Sequence, residues 1–178
     1  MLEQLQIRTA TLDDAEPLTV LAEQTFRDTF AADNTVEHLE AYVRSAFTID
    51  RIREELDDDD SLFLLAFLED SDRPVGYAKL RSGEAPPCVT DPDLIELQRI
   101  YVDRSAQGHG VGAALMRASL DMARTIGCGT VWLGVWEHNT RAISFYERWG
   151  FKTVGDQTFL MGADPQRDLV MTRALRRE

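Results

Sequence analysis

The chain has 178 residues, 44% of them apolar, enough for one folded unit with a sizeable core. Its formal net charge of −12 argues against general nucleic-acid binding through a basic surface, and no apolar run approaches the roughly 20 residues a membrane helix needs. The start MLEQLQIRTATLDD lacks the basic and apolar stretches of a signal peptide, and two cysteines are too few for a disulfide framework, so a cytoplasmic location is expected.

Gln4–Ala10 alternates enough for a first strand. Thr11 with Asp13 and Asp14 marks a helix start, and Leu18, Leu21, Ala22, Thr25 and Phe26 give that helix one apolar face; Pro17 is awkward inside it and would set its first turn later than Thr11. A second helix is predicted near Val36–Phe47 and a short third over Asp50–Leu56, running into a solvated loop of four aspartates, Asp57–Asp60. Ser61–Leu68 and Val75–Arg81 read as strands joined by a hairpin connection over Glu69–Pro74, and residues 82–93, with Pro86, Pro87 and Pro92, as a loop. Leu94–Val102 is a strand and Gly108–Ile126 a helix with Val111, Leu115, Ala118 and Met122 inward, stopped by Gly127. Thr130–Val135 is a strand, Asn139–Trp149 a helix closed by Gly150, and Phe151–Gly155 and Leu169–Thr172 are final strands. Hairpins combined with crossover helices imply an α/β fold, a mixed sheet covered by helices. No repeat or linker divides the chain, so residues 1–178 are read as a single domain.

The sharpest local signal follows the strand ending at Val102. A short loop leads to Gln107-Gly108-His109-Gly110-Val111-Gly112, where three alternate glycines open a helix. Glycines let backbone approach a ligand, and a helix start offers unpaired N–H groups and about half a positive charge, a combination that suits pyrophosphate. No Gly-Lys-Ser/Thr follows, so this is not a Walker loop, and the spacing is poor for a dinucleotide fingerprint; alone it is equally a turn made to pack the helix on the sheet. About 30 residues on stands Asn139-x-x-Ala142-x-x-Phe145-Tyr146-x-x-x-Gly150-Phe151, in which Asn139 and Tyr146 are two helical turns apart and face the same way.

Together these two segments resemble those of the GCN5-related N-acetyltransferase (GNAT) superfamily: Gln107-x-x-Gly110-x-Gly112 looks like its pyrophosphate-binding segment and Asn139–Phe151 like its second coenzyme A segment. The resemblance implies a mostly antiparallel sheet of six or seven strands flanked by about four to five helices. It also implies transfer of acetyl from acetyl-CoA to a primary amine, by direct attack through a tetrahedral intermediate. Thr25–Phe30, Ala41-Tyr42, Ser45–Phe47, Leu97–Val102, Trp132–Glu137 and Phe159-x-Met161-Gly162 are similar to bacterial spermidine/spermine N-acetyltransferases of the PaiA type, which implies a polyamine acceptor. Gln98 stands where such relatives are expected to carry Glu, which removes one carboxylate.

Attack on a thioester requires a neutral amine, so a base must take a proton from an ammonium of pKa about 10. Glu96, leading into the phosphate turn, is the candidate, with pairing to Arg99 as the structural alternative and Glu137 as the reserve. The resemblance places Tyr146 as general acid for the leaving thiolate, Asn139 on the pantetheine or at the helix start, and the backbone of Ile100, Tyr101 and Val102 at the oxyanion and beside the pantetheine arm. Gln107, Gly108, His109, Gly110, Val111 and Gly112 would cradle the pyrophosphate. Phe26, Phe30, Tyr42 and Trp136 would line the acceptor channel, unless they are simply core, and Asp28, Asp33 and Glu40 would hold distal ammonium groups. His38, His109 and His138 lack metal-ligand spacing, so no metal is expected; Cys88 reads as loop surface and Cys128 as turn packing.

The alternatives are acetylation of protein N-termini or another small amine, or a weakly catalytic coenzyme A-binding regulatory protein. A small-molecule amine is the expected partner, with neither nucleic acid nor membrane, and exposed edge strands are compatible with a homodimer. Charge is uneven: residues 1–72 hold 5 Arg against 19 Asp/Glu, a net of −14, while residues 73–178 are net +2. A cationic acceptor at the acidic end would fit this distribution; so would an acid-rich surface with two lysines in the whole chain.

Overall fold

The computed structural model describes residues 5–69 and 71–175. In chain order the elements are β1 (Leu5–Thr9), α1 (Ala15–Phe30), α2 (Val36–Ala46), α3 (Ile49–Asp57), β2 (Ser61–Leu68), β3 (Pro74–Arg81), β4 (Leu94–Val102), α4 (Val111–Thr125), β5 (Thr130–Trp136), α5 (Thr140–Arg148), β6 (Lys152–Met161) and β7 (Asp164–Ala174). This is the order expected from the sequence; Gln4, placed in the first strand, and Asp70, in the hairpin connection, lie outside the described residues.

The seven strands form one sheet in the order β1-β2-β3-β4-β5-β7-β6, antiparallel at every pairing except β4–β5. The parallel pair forms because α4 carries the chain back across one face, as a crossover helix must. On that face α4 and α5 cover a core that includes Ile95, Leu97, Leu115, Met116, Leu120, Val131, Leu133 and Phe151. On the other face α1, α2 and α3 enclose Leu18, Phe26, Val43, Phe47, Ile52, Phe63, Leu65 and Tyr77. A smaller cluster of Val89, Trp132 and Val170 seats the loop before β4, and Cys88 packs against it rather than lying on the loop surface.

The helix begins later than Thr11, as Pro17 requires: a short turn at Leu12–Asp14 precedes α1 and leaves Pro17 third in it, where no N–H is needed. Two expectations shift. The α4 helix starts at Val111 rather than Gly108, and its buried stripe runs through Val111, Leu115, Met116, Ser119, Leu120 and Ala123, with Ala118 and Met122 at its margin. The last two strands are longer than predicted, at 10 and 11 residues, since Lys152–Met161 and Asp164–Ala174 form a continuous hairpin. Asp58 caps its own turn by accepting from Asp60 N and Ser61 Oγ, so the four-aspartate run is exposed, as expected. Among the described residues no helix is long and apolar enough to cross a membrane.

Candidate active site

The site begins where β4 and β5 part. Their pairing runs Leu94–Thr130, Ile95–Val131 and Glu96–Trp132 and stops there, although β4 continues to Val102 and β5 to Trp136. Backbone groups of Leu97–Val102 that face β5 therefore have no strand partner. A bulge at Gln98 adds to the divergence: Lys79 pairs with Arg99 but Leu80 with Leu97. The opening is a cleft of about 760 Å³ through the sheet, walled by α4 and α5 on one side and α1, α2, β6 and β7 on the other.

On the α4 side the cleft meets a helix start with no side-chain cap. Gly110 is the N-cap at φ 81°, a left-handed conformation that costs glycine nothing, and the first intrahelical bond of α4 is Ala114 N to Gly110 O. The N–H groups of Val111, Gly112 and Ala113 thus face the cleft with the positive end of the helix dipole. Gln107 also lines the cleft and ties its mouth by donating from Nε2 to Val102 O at 3.2 Å. Arg104, Arg141 and Arg148 add exposed cations along the same lining. An uncapped helix start, an unpaired strand edge and three guanidiniums are what a diphosphate on an amide-bearing arm requires, so these residues fit coenzyme A.

From α5, Tyr146 reaches the lining between Phe145 and Phe151, with ring centroids at 5.6 and 5.9 Å. Burial pushes its phenol well above the usual value of 10, so the proton stays on oxygen across the working range. Asn139 is the N-cap of α5: its Oδ1 accepts from Ala142 N at 3.2 Å, so the capping role holds and its amide N–H₂ remains for the cleft.

Glu96 is the last β4 residue paired with β5, and its side chain is 12% exposed. Its ion-pair partner is Arg81, at 3.1 Å, not Arg99; Arg99 is held instead by a bidentate bond to Glu55 at 2.7 and 3.2 Å, beside Lys79 at 3.0 Å. Burial raises the Glu96 carboxyl above the ordinary carboxylate value, while Arg81 and Lys79 restrain the rise. Glu137, the reserve base, is bound to Arg167 at 2.9 Å and does not line the cleft.

The opposite wall is aromatic. Phe26 stacks on Tyr42 at 4.7 Å and touches Phe30 at 4.6 Å; Phe30 meets Trp136 at 6.4 Å, and Tyr42 meets Phe159 at 5.2 Å. Phe26 is at once core and lining, so the two readings of that residue were not exclusive. Of the three carboxylates expected to hold ammonium groups, only Asp28 lines the cleft, with Arg104 at 3.8 Å. Glu40 is bound to Arg27 at 2.9 and 3.1 Å, and Asp33, in the short turn after α1, is not part of the lining.

The structure gathers the predicted catalytic pair, the coenzyme A residues and the four aromatic residues at this cleft except His109, which is exposed and outside the lining; Asp33, Glu40 and the reserve Glu137 also lie outside it. Sequence reasoning missed Arg141 and Arg148, which lie seven apart on α5 as Asn139 and Tyr146 do. It also missed Gln157, Phe159 and Asp168, which β6 and β7 bring to the far wall. The helical spacing could have found the arginines. For Asp168 no local signal exists, because its place depends on strands paired out of chain order.

Residues 23–151 match the model of the Acetyltransferase (GNAT) family. The chain is 36% identical over 164 residues to an uncharacterized N-acetyltransferase of Mycobacterium tuberculosis, covering 92% of this chain and 99% of the relative. It is 32% identical over 162 residues to an uncharacterized N-acetyltransferase of Lactobacillus delbrueckii subsp. lactis, covering 91% and 92%. Among solved structures, PaiA N-acetyltransferase from Thermoplasma acidophilum in complex with coenzyme A has a TM-score of 0.78 at 22% identity, covering 97% of this chain and 99% of that one. A mostly antiparallel sheet opened between β4 and β5 over an uncapped helix start defines the class, and the chain belongs to the Acetyltransferase (GNAT) family. It is an N-acetyltransferase of that family, whose acetyl donor is acetyl-CoA.

Proposed function

We propose that this enzyme acetylates a primary amine of a small polycation, with polyamines such as spermidine and spermine as the acceptor class. The observation that supports this most is the far wall of the cleft, where Phe26, Phe30, Tyr42 and Trp136 stand with the buried carboxylates Glu96 and Asp168. Aromatic faces with carboxylates among them attract alkylammonium chains and leave little for a neutral or anionic acceptor. The reading takes residues 1–178 as one catalytic domain acting in the cytoplasm.

Bound acetyl-CoA supplies an activated thioester. The N–H groups opening α4 and the cations Arg141 and Arg148 hold its phosphates, and the free edge of Leu97–Val102 receives its arm. Glu96 takes the proton from the attacking ammonium, directly or through water, which its raised pKa favours. Backbone donors of Ile100–Val102, fixed by β3 on their other side, stabilise charge on the carbonyl oxygen. Tyr146 presents its phenol proton to the departing sulfur. Full transfer from so weak an acid is uphill, so the group serves first as a strong donor in a dry site that raises both partners together.

Acetyl transfer to spermidine, spermine and putrescine, measured beside peptides with free N-termini, tests the reading. We expect polyamine kcat/KM to exceed that of the peptides by at least about tenfold. Polyamine turnover at background would overturn it, and dominant peptide turnover would assign the enzyme to protein N-termini.

A further inference from the structure

Asp168 is a buried carboxylate that no step above employs. It lies on β7, opposite Trp136 of β5 and Gln157 of β6, and is 9% exposed while lining the cleft. Among the described residues it accepts no hydrogen bond and enters no ion pair. The groups around it are neutral: the Gln157 amide from β6, and Gly134 and Trp136 from β5, with the Tyr42 hydroxyl of α2 near enough to feel its charge. Of the other cations in the lining, Arg99 is bound to Glu55, Arg104 lies 3.8 Å from Asp28, and Arg141 and Arg148 stand on α5, across the cleft from β7. A carboxylate kept out of water without a partner is costly, and a structure tolerates it where a ligand completes the pair.

The room for that ligand is made by a glycine. A Cβ on Gly134 would lie 2.6 Å from Gln157 Nε2 and 3.2 Å from Asp168 Oδ2, so any side chain at this position fills the space the two polar groups face. We propose that Asp168, Gln157 and Trp136 form a subsite for the ammonium group of the acceptor that does not react. The proposal rests on the polyamine reading and deepens it: the carboxylate pairs with the distal ammonium, Trp136 lends its ring face, and Gln157 bounds the space on the β6 side. Glu96 serves the reacting nitrogen at the β4–β5 opening, and Asp168 holds the far end of the same chain. The ordinary ionisation of Asp168 is delayed to about 6 by burial, so the subsite loses its charge as pH falls through that value.

Putrescine and n-butylamine share a carbon chain and differ by one ammonium, so their kcat/KM ratio reads the subsite directly. In the unmodified enzyme the ratio should favour putrescine and decline as pH falls through about 6. Asp168→Asn should cut putrescine kcat/KM at least tenfold more than n-butylamine kcat/KM, mainly through KM, and should flatten the pH dependence of the ratio; Asp168→Glu should restore part of it. Gly134→Ala should lower the ratio in the same sense, and spermidine binding followed by tryptophan fluorescence gives a readout that does not need turnover. An unchanged ratio and unchanged spermidine affinity in Asp168→Asn, with a normal circular dichroism spectrum, would overturn the subsite while leaving the polyamine reading intact. If the unmodified enzyme shows no preference for putrescine over n-butylamine and binds no spermidine, both fall.

Discussion

Tyr146 and Asp168 are each shifted by burial, and the shifts act in different ways. For Tyr146 the raised pKa keeps the donor protonated, so removing the hydroxyl removes a bond that strengthens as the sulfur gains charge. Tyr146→Phe should lower kcat by about 100-fold with less than about threefold change in KM for acetyl-CoA; steady-state kinetics checks this, and unchanged kcat would remove Tyr146 from proton transfer. For Asp168 the folded state binds its proton more tightly than the unfolded chain does. Stability is therefore greatest below the unfolded value near 4 and declines as pH rises through about 6. Above that the ionised group costs about 2–3 kcal/mol, so Asp168→Asn should raise Tm by roughly 5 °C or more at pH about 7.5 and leave it almost unchanged near pH 4. Melting curves at the two pH values decide it. A substitution that stabilises the free enzyme while weakening its acceptor binding is the signature of a residue kept for function.

At the scale of elements, the start of α4 and the β6–β7 hairpin show why parts of the site were legible and others not. The glycine run before α4 was visible because its chemistry is contiguous: strand end, turn and helix start occupy residues 100–112. Only the helix boundary was misplaced, since Gly108 and Gly110 both have positive φ and belong to the turn. Gly110→Ala adds a Cβ that meets nothing within 4 Å, so its penalty is the backbone strain of about 1–2 kcal/mol for a left-handed residue. It should appear as a rise of several-fold up to about tenfold in KM for acetyl-CoA, with kcat changed little, in a titration of the acetyl donor. The β6–β7 hairpin was under-read for a different reason. Gln157, Gln166 and Asp168 line a cleft rather than a core, so the apolar alternation that marks a half-buried strand is broken where these strands do their work.

Across the whole molecule, the acidic first part borders the aromatic wall of the cleft, through Phe26, Asp28, Phe30 and Tyr42. Many of its carboxylates are nonetheless engaged with arginines of their own region: Asp14 with Arg8, and Glu23 and Glu40 with Arg27. The buried acids of the cleft, Glu96 and Asp168, come from the part that is net +2. Local recognition and long-range attraction are thus separate, the first by buried groups that salt screens little and the second by the −12 surface. Spermidine KM should rise about threefold or more between roughly 0.05 and 0.5 M salt, through the second alone, while the putrescine to n-butylamine ratio changes much less. A flat spermidine KM would show that the acidic surface is composition without steering.

The sequence by itself determined the order of elements, the acetyltransferase family and the two segments that open α4 and α5 at the cleft, because each of these is written in residues close together along the chain. Helical period, glycines and caps act within a few residues and need no distant partner. Which carboxylates line the cleft was decided by tertiary structure alone. Glu40 was withdrawn by Arg27, Glu137 by Arg167, and Asp168 was brought in by β7 entering the sheet between β5 and β6. Burial and pairing of a charge depend on what packs against it, and here the packing joins segments more than a hundred residues apart, Asn34 bonded to Gln166 among them.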